Sequence, residues 1–351
     1  MAGPSNFLED PRGKRLAILA GITAAAVLLA IVALALRAAE VGRKFEPRAF
    51  FAGLDAKLDQ VAALRVETAG ESFTIRHDTG KGWIVPEKSG YPADVEQVRK
   101  TVLGLVALEA IEPKTARAEW HGVLGLDDPK KENGAVGLTL QDAAGETLAA
   151  ILIGNTVSIG DTTGRVGLYV RRPGEDQTWL ARGFLTPQRS VSEWLDRRVL
   201  SIGRERIKEA KVRPLAGPAY TVFREKKDEG DFKLAEMPKG RELTYDTAPN
   251  GPAAAIVGFA FDDVAPASAI DFAKAAETET TTFDGLAIAV RIAEQAGAYW
   301  AVIGAKSASA ETEAEARAIN ARVAPWAYKL PEYKAKLFLT ERDSLLKGTA
   351  K

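Results

Sequence analysis

Cysteine is absent from the 351-residue chain. That excludes disulfides, thiolate metal sites, a cysteine nucleophile and a lipid-modified N-terminal cysteine. It leaves the redox compartment open, because oxidising and reducing compartments both hold cysteine-free proteins. Histidine is scarce: His77 and His121 are the only two, few ligands for a zinc site. An excess of either charge is missing as well, since Lys+Arg and Asp+Glu both number 47. A nucleic-acid binder carries a basic surplus or stripe, so no nucleic-acid partner is expected. The Gly-x-Ser-x-Gly elbow of a serine hydrolase does not occur.

What is present is ordinary for a folded chain. Hydrophobic residues make up 46% and charged residues 27%, and the length suits two domains. One stretch organises the rest. Residues 61–66, 73–76 and 82–86, with a helix-like run ending at 111–113, recur as 207–212, 220–224, 231–235 and a run ending at 264–266. The offset grows from 146 (207 against 61) to 153 (264 against 111), as small loop insertions would make it. Such self-similarity predicts an internal duplication. It divides the chain into a first unit over 61–200 and a second, with a helical C-terminal tail, over 201–351. The later hairpin of the second unit, 288–304, aligns with 138–154 at an offset of 150 (288 against 138).

Residues 16–36 carry no charge. As a helix they reach about 31 Å, the thickness of a bilayer's hydrocarbon core. A cleaved signal peptide is the competing reading, with Ala33 and Ala35 as a possible cleavage motif. The run exceeds the roughly 7–15 apolar residues of a signal peptide, so a retained transmembrane helix is expected. Basic residues flank it on both sides (Arg12, Lys14 and Arg15 before; Arg37, Arg43, Lys44 and Arg48 after), so counting them does not set the topology. Ala17, Gly21 and Ala25 form a small-residue stripe. Alanine is common in such segments whatever they pack against. Residues 37–60 form a juxtamembrane linker in which Phe45, Phe50 and Phe51 either lie at the lipid interface or cap the first unit.

In the first unit, short strands are expected at 64–68, 72–76 and 83–85, with apolar and polar residues alternating. A helix follows, with Asp94 as N-cap and Val95, Val98, Val102, Leu105 and Val106 on one face, ended by Glu112 and Pro113. Hairpins are expected over 136–153 and 166–180, then a short helix over 191–198. The second unit predicts a helix at 253–261, a threonine-rich strand at 278–283, a helix at 310–323 and a short helix at 340–347. The aromatic and basic tail 325–336 is expected to dock on the core.

Candidate chemistry is sparse. Gly304–Ser307 is only a fragment of a phosphate loop, with Ala305 where a glycine is needed. Asp127 with Asp128, and Asp262 with Asp263, are adjacent carboxylates, and sequence neighbours seldom face one substrate together. Asp128 before Pro129 reads as a turn. His77 and His121 lack a serine or carboxylate at a motif spacing. No residue is assigned as catalytic, cofactor-binding or metal-ligating, and no cofactor is expected.

The chain resembles a bacterial family, domain of unknown function 4340. The residues that carry the likeness are the N-terminal apolar helix, GWIV at 82–85, GYPAD at 90–94, IEPKT at 111–115 and LGLDDP at 124–129. GLYVR at 167–171, QTWL at 177–180, WLDRR at 194–198 and WAYKLP at 326–331 complete the set. The resemblance implies a single-pass inner-membrane protein, with a cytoplasmic tail at 1–15 and the bulk of the chain periplasmic. It also implies association with a gliding-motility-type ABC transporter, whose permease and auxiliary membrane proteins are the expected partners. The expected architecture is α+β: a transmembrane helix, then two repeated units of antiparallel sheet backed by helices. The expected function is a non-enzymatic accessory subunit of that transport complex. The alternatives are a stand-alone periplasmic module binding a lipid, peptide or envelope polymer, and an envelope enzyme.

Overall fold

A computed structural model of the chain describes residues 11–41 and 45–348. Most of the expected tail 1–15, the linker residues 42–44 and the last three residues lie outside the described residues. Helix α1 (Pro11–Val41) contains the apolar run. Its stretch Ala17–Ala35 is 0% buried, and Leu29 stands 70% exposed. The Thr23 hydroxyl donates back to Leu19 O at 2.9 Å, so this helix satisfies its own polar side chain. By length and composition α1 can cross a bilayer.

The rest is α+β, with two antiparallel sheets and short helices. The first sheet takes β1 (Arg48–Ala49), β2 (Ala63–Glu67), β3 (Ser72–Asp78), β4 (Gly82–Val85), β5 (Tyr91–Pro92), β6 (Glu109–Pro113), β7 (Val136–Gln141), β8 (Thr147–Val157), β9 (Val166–Arg171) and β10 (Thr178–Gly183). Helix α2 (Val95–Val106) lies between β5 and β6. The second sheet takes β11 (Ile207–Arg213), β12 (Tyr220–Phe223), β13 (Lys233–Leu234), β14 (Asp263–Pro266), β15 (Ala276–Thr282), β16 (Leu286–Gln295), β17 (Ala298–Ser307) and β18 (Trp326–Lys329). Its helices are α3 (Asn250–Ala253), α4 (Glu313–Val323) and α5 (Glu332–Phe338).

The two sheets share one strand order. The first reads β4-β3-β2-β7-β8-β9-β10-β6 and the second β13-β12-β11-β15-β16-β17-β18-β14. In each half this is the third, second and first strand, then the fifth to eighth, then the fourth. Two additions mark the first half, β5 beyond β4 and β1 beyond β6. The duplication is therefore visible in topology.

The same order corrects the hairpin alignment. By position, β16 corresponds to β8 and β15 to β7, so 288–304 does not match 138–154. The reason lies in β15. Its inward residues Thr278, Thr280 and Thr282 are buried threonines, where β7 buries Val136, Leu138 and Leu140. The strand expected at 278–283 is β15 itself, but without an apolar signature it is not matched to β7, and a pattern of period two slides on to the next apolar strand.

Alternation sets the sheets up. Leu64 pairs with Ile75 and Val66 with Phe73, all four buried. Asp94 caps α2, its Oδ1 accepting from Glu96 N (2.9 Å) and Gln97 N (3.2 Å). Val98, Val102 and Leu105 are buried as expected, while Val95 is exposed. The helix ends at Val106 rather than at Pro113. Glu109–Pro113 leaves it to pair with β10 and β1, because Leu108 and Ala110 switch to a period of two and bury together.

The helix expected at 253–261 is a single turn. Gly258 takes φ +57°, and Lys334 Nζ donates to Ala255 O (3.1 Å) and Val257 O (2.6 Å). A buried ammonium thus takes carbonyls that a longer helix would have used itself. Burial pulls the Lys334 pKa down. The helix at 310–323 starts at Glu313, after a turn in which the Ser307, Ser309 and Thr312 hydroxyls bond one another. The short helices at 191–198 and 340–347 are 3-10 turns, Val191–Trp194 and Arg342–Leu345. The tail docks through β18 and α5, burying Tyr328, Ala335 and Phe338.

The linker phenylalanines cap the first unit. Phe50 is buried, Phe45 stacks on Trp179 (5.4 Å), and the Arg172 guanidinium sits over Phe50 (4.5 Å).

Candidate functional site

The two halves meet head to tail. β5, at one end of the first sheet, lies against β14 and β18 at the far end of the second. Tyr91 is the centre of this junction. Its ring meets Trp326 (5.0 Å), Phe261 (5.9 Å) and Tyr328 (6.3 Å) edge-on. Its hydroxyl donates to Asp196 O at 2.9 Å. Around the ring cluster, Lys88 Nζ pairs with Asp263 (2.7 Å), Arg197 donates to Phe261 O (3.1 Å) and Arg322 to Arg198 O (2.8 Å). Most buried residues of both sheets form one contiguous hydrophobic cluster, with Leu126, Ala135 and Leu152 in a small separate one. Motifs singled out in the sequence, GYPAD at 90–94 and WLDRR at 194–198, supply one wall of the junction, and WAYKLP at 326–331 the other.

Two tyrosines there differ in a testable way. Tyr91 donates its hydroxyl to Asp196 O; the buried Tyr328 hydroxyl lies beside the Tyr91 hydroxyl but makes no hydrogen bond of good geometry among the described residues. Tyr91→Phe is expected to cost about 1 kcal/mol of unfolding free energy, and Tyr328→Phe to be neutral or stabilising. Urea unfolding of the two variants checks this.

Burial also raises the pKa values of three tyrosines. Tyr328 is pushed up to about 12, and Tyr91 and Tyr220 higher. A group whose folded pKa exceeds its unfolded value stabilises fully below the unfolded value and loses that contribution as pH rises through the folded one. The unfolded chain ionises its tyrosines near 10, so stability is expected to fall from about pH 10 upward. The triple Tyr→Phe variant at 91, 220 and 328 should flatten that decline in melting scans across this range.

The other candidates are occupied structurally. His121 is buried, with Nε2 at 2.9 Å from Asp176 O, and it pins the loop that contains it. His77 stacks edge-on against Trp83 (5.4 Å). Asp128 Oδ1 accepts from Lys130 N (2.9 Å), closing the turn expected before Pro129. Asp127 lies 3.7 Å from Lys131. Asp263 is spent on Lys88, and the backbone N–H of its neighbour Asp262 donates to Lys329 O. Gly304–Ser307 lies in strand β17, where Lys306 faces Ala287 in register, so it is not a loop. Among the described residues neither histidine hydrogen-bonds or ion-pairs with the adjacent carboxylates.

Three clefts stand out, each lined by one half. One of about 360 Å³ in the second half presents Lys211, Arg213 and Arg342 with Glu236, Glu277 and Glu279. Another, about 320 Å³, is an apolar groove between α2 and Trp83, with Leu58, Val61 and Leu103. The third, about 540 Å³, lies along 112–124 and is rimmed by Trp120 and Val123. The exposure of Trp120 leaves no periodic trace in the sequence. The signal available was its place beside a buried histidine in a glycine-bounded loop.

A family profile described as domain of unknown function (DUF4340) matches residues 83–285. The chain belongs to this family. The DUF4340 match opens in β4 and closes after β15, so it takes in α2, the junction motifs 90–94 and 194–198, and strands of both sheets. Neither the curated proteins nor the solved structures give a significant match.

Proposed function

We propose that this chain is a non-enzymatic accessory subunit of an inner-membrane ABC transport complex. Residues 16–36 are its single-pass anchor, and the two-sheet body works on the periplasmic side by making contacts with protein or substrate. The observation that carries the reading is the build of the body. Two sheets of one strand order are locked by the Tyr91 ring cluster into one continuous core, behind an exposed apolar helix. Such a body presents long, stiff surfaces suited to contacts with protein or substrate. The groups best suited to acid–base chemistry serve turns, ion pairs and loop anchoring instead. The partners proposed, a permease and auxiliary membrane subunits, are those that the sequence resemblance implies.

The test is affinity purification of the full-length chain from mild detergent after light crosslinking. Permease and ATPase subunits are expected in the eluate. A lone monomer, with no transporter subunit crosslinked, overturns the proposal. The intact mass of the membrane-extracted chain tests the anchor separately, since a retained helix keeps residues 16–36 in the mature protein.

The mixed-charge cleft of the second half favours a second reading, a stand-alone module binding a peptide or other envelope polymer. Arg213 lies 3.7 Å from Glu277 there, and paired charges of both signs suit a zwitterionic ligand. Native mass spectrometry of protein released from membranes distinguishes this reading by a bound ligand in place of partner subunits.

A further inference from the structure

The loop 112–124 holds apolar side chains in solvent by construction. Trp120 is 51% and Val123 66% exposed. Neither is loose. His121 between them points inward, held by Asp176 O. Leu126 N donates to His121 O (2.8 Å), and Asn155 Nδ2 donates to Val123 O (3.3 Å). Gly154 lets β8 approach the loop closely, since a Cβ there would lie 2.2 Å from Leu124 O. A single exposed apolar residue needs no explanation. A rigid pair rimming one cleft does, once its position is considered.

That position is the corner where the chain arrives from α1. In the β1–β6 pairing Arg48 faces Ala110 and Ala49 faces Glu109, so the chain before Arg48 comes in from the Pro113 side of β6. Phe45 stacks on Trp179, and Trp179 itself pairs with Pro113. Lys114 N donates to Thr178 O (2.9 Å) and Thr115 N to the Thr178 hydroxyl (3.0 Å), which fixes the start of the loop to this corner. Val41, the last residue of α1, precedes Phe45 by four residues, a span of about 14 Å at most. The helical residues after the apolar run add about 7 Å. The corner therefore lies within roughly 21 Å of the hydrocarbon edge, a reach comparable with the interfacial zone plus one loop.

We propose that Trp120 and Val123 insert into the headgroup–acyl boundary of the membrane that holds α1, giving the body a second, non-covalent lipid contact. This rests on the membrane-anchor reading of residues 16–36. Tryptophan is suited to that depth by its apolar body and polar N–H. Charges along the loop balance, Lys114 pairing with Glu112 at 2.6 Å while Arg117 and Glu119 offset each other. The contact is therefore apolar, and a zwitterionic lipid suffices.

The absence of native cysteine makes the test direct. Val123→Cys and, at the far end of the second half, Lys227→Cys each give the full chain a single thiol for an environment-sensitive fluorophore. The labelled proteins are reconstituted into phosphatidylcholine vesicles carrying a headgroup nitroxide lipid, and flotation after a carbonate wash is scored first. The expected result is flotation with a blue-shifted, strongly quenched label at 123 and an unshifted, unquenched label at 227. Adding Trp120→Ser to Val123→Cys should reduce the quenching without loss of flotation, and high salt should leave it unchanged. Vesicles that float with equal quenching at the two positions overturn the proposal and leave the anchor intact. A chain that fails to float overturns the anchor reading and this proposal with it.

Discussion

Arg224→Met lowers the unfolding free energy by about 3–5 kcal/mol, read as a fall in the urea midpoint at unchanged slope. The side chain is 3% exposed and feeds four backbone carbonyls. Nε donates to Ile207 O (2.8 Å), Nη1 to Glu229 O (2.8 Å), and Nη2 to both Arg204 O and Glu205 O (2.7 Å each). The guanidinium also lies over Phe232 (4.9 Å) and Phe283 (5.5 Å). Methionine fills the volume and keeps the ring contacts but leaves the carbonyls without a donor. The cost is the desolvation of those acceptors rather than the loss of one attraction. Burial holds the guanidinium pKa below its ordinary value, yet it stays charged at any pH the fold survives. Arg224→Lys restores a charge without the planar fork and should recover only part of the loss. A penalty below about 1 kcal/mol for the methionine variant would show that the carbonyls find other donors.

Gly154→Ala is the second large effect, about 3 kcal/mol or more. The added Cβ would sit 2.2 Å from Leu124 O and 2.9 Å from the Gly125 carbonyl carbon. Both are backbone atoms, so no side-chain rotation relieves the clash; Gly154 sits just past the last β7 pair, Val136 with Ile153, at the irregularity in the β8–β9 register. The loop must lift, taking Trp120 and Val123 with it. Limited trypsin digestion should then cut faster after Arg117 and Lys130 than in the parent. Gly70→Ala is the matched control. Nothing lies within 4 Å of its Cβ position, and its stability should stay within about 0.5 kcal/mol of the parent.

Much of the fold is legible in the sequence where side chains alternate cleanly. Leu64/Val66 against Phe73/Ile75, the Asp94 cap and the Val98–Leu105 stripe all read correctly, because burial of one face leaves a periodic trace. The duplication was readable for the same reason in its first three strands. Reading failed where polar residues do apolar work. The threonine-rich strand expected at 278–283 is β15, but its buried threonines hide its kinship with β7, so the alignment slides past it by a strand. It failed again at Leu108–Pro113 and at 254–261, where pairing with distant strands and the Lys334 ammonium decides the conformation. Neither influence is local. For the candidate site, the sequence marked 90–94, 194–198 and 326–331 as distinctive but could not show that they converge. Tyr91 and Asp196 meet through a long-range contact inside the first half, and Trp326 joins them only where the two halves meet, so both steps are set by tertiary packing. Trp120 was missed because exposure of an aromatic has no sequence period.

The strand β1 has a mechanical meaning. The chain leaving α1 is stitched to the free edge of β6 by Arg48 and Ala49, with Phe50 N donating to Leu108 O (2.7 Å) and Arg172 reaching Phe50 O (2.6 Å). Traction applied through the helix therefore loads this seam first, before any strand of the central meander. The seam is short enough to peel, and what lies behind it is a full-width sheet.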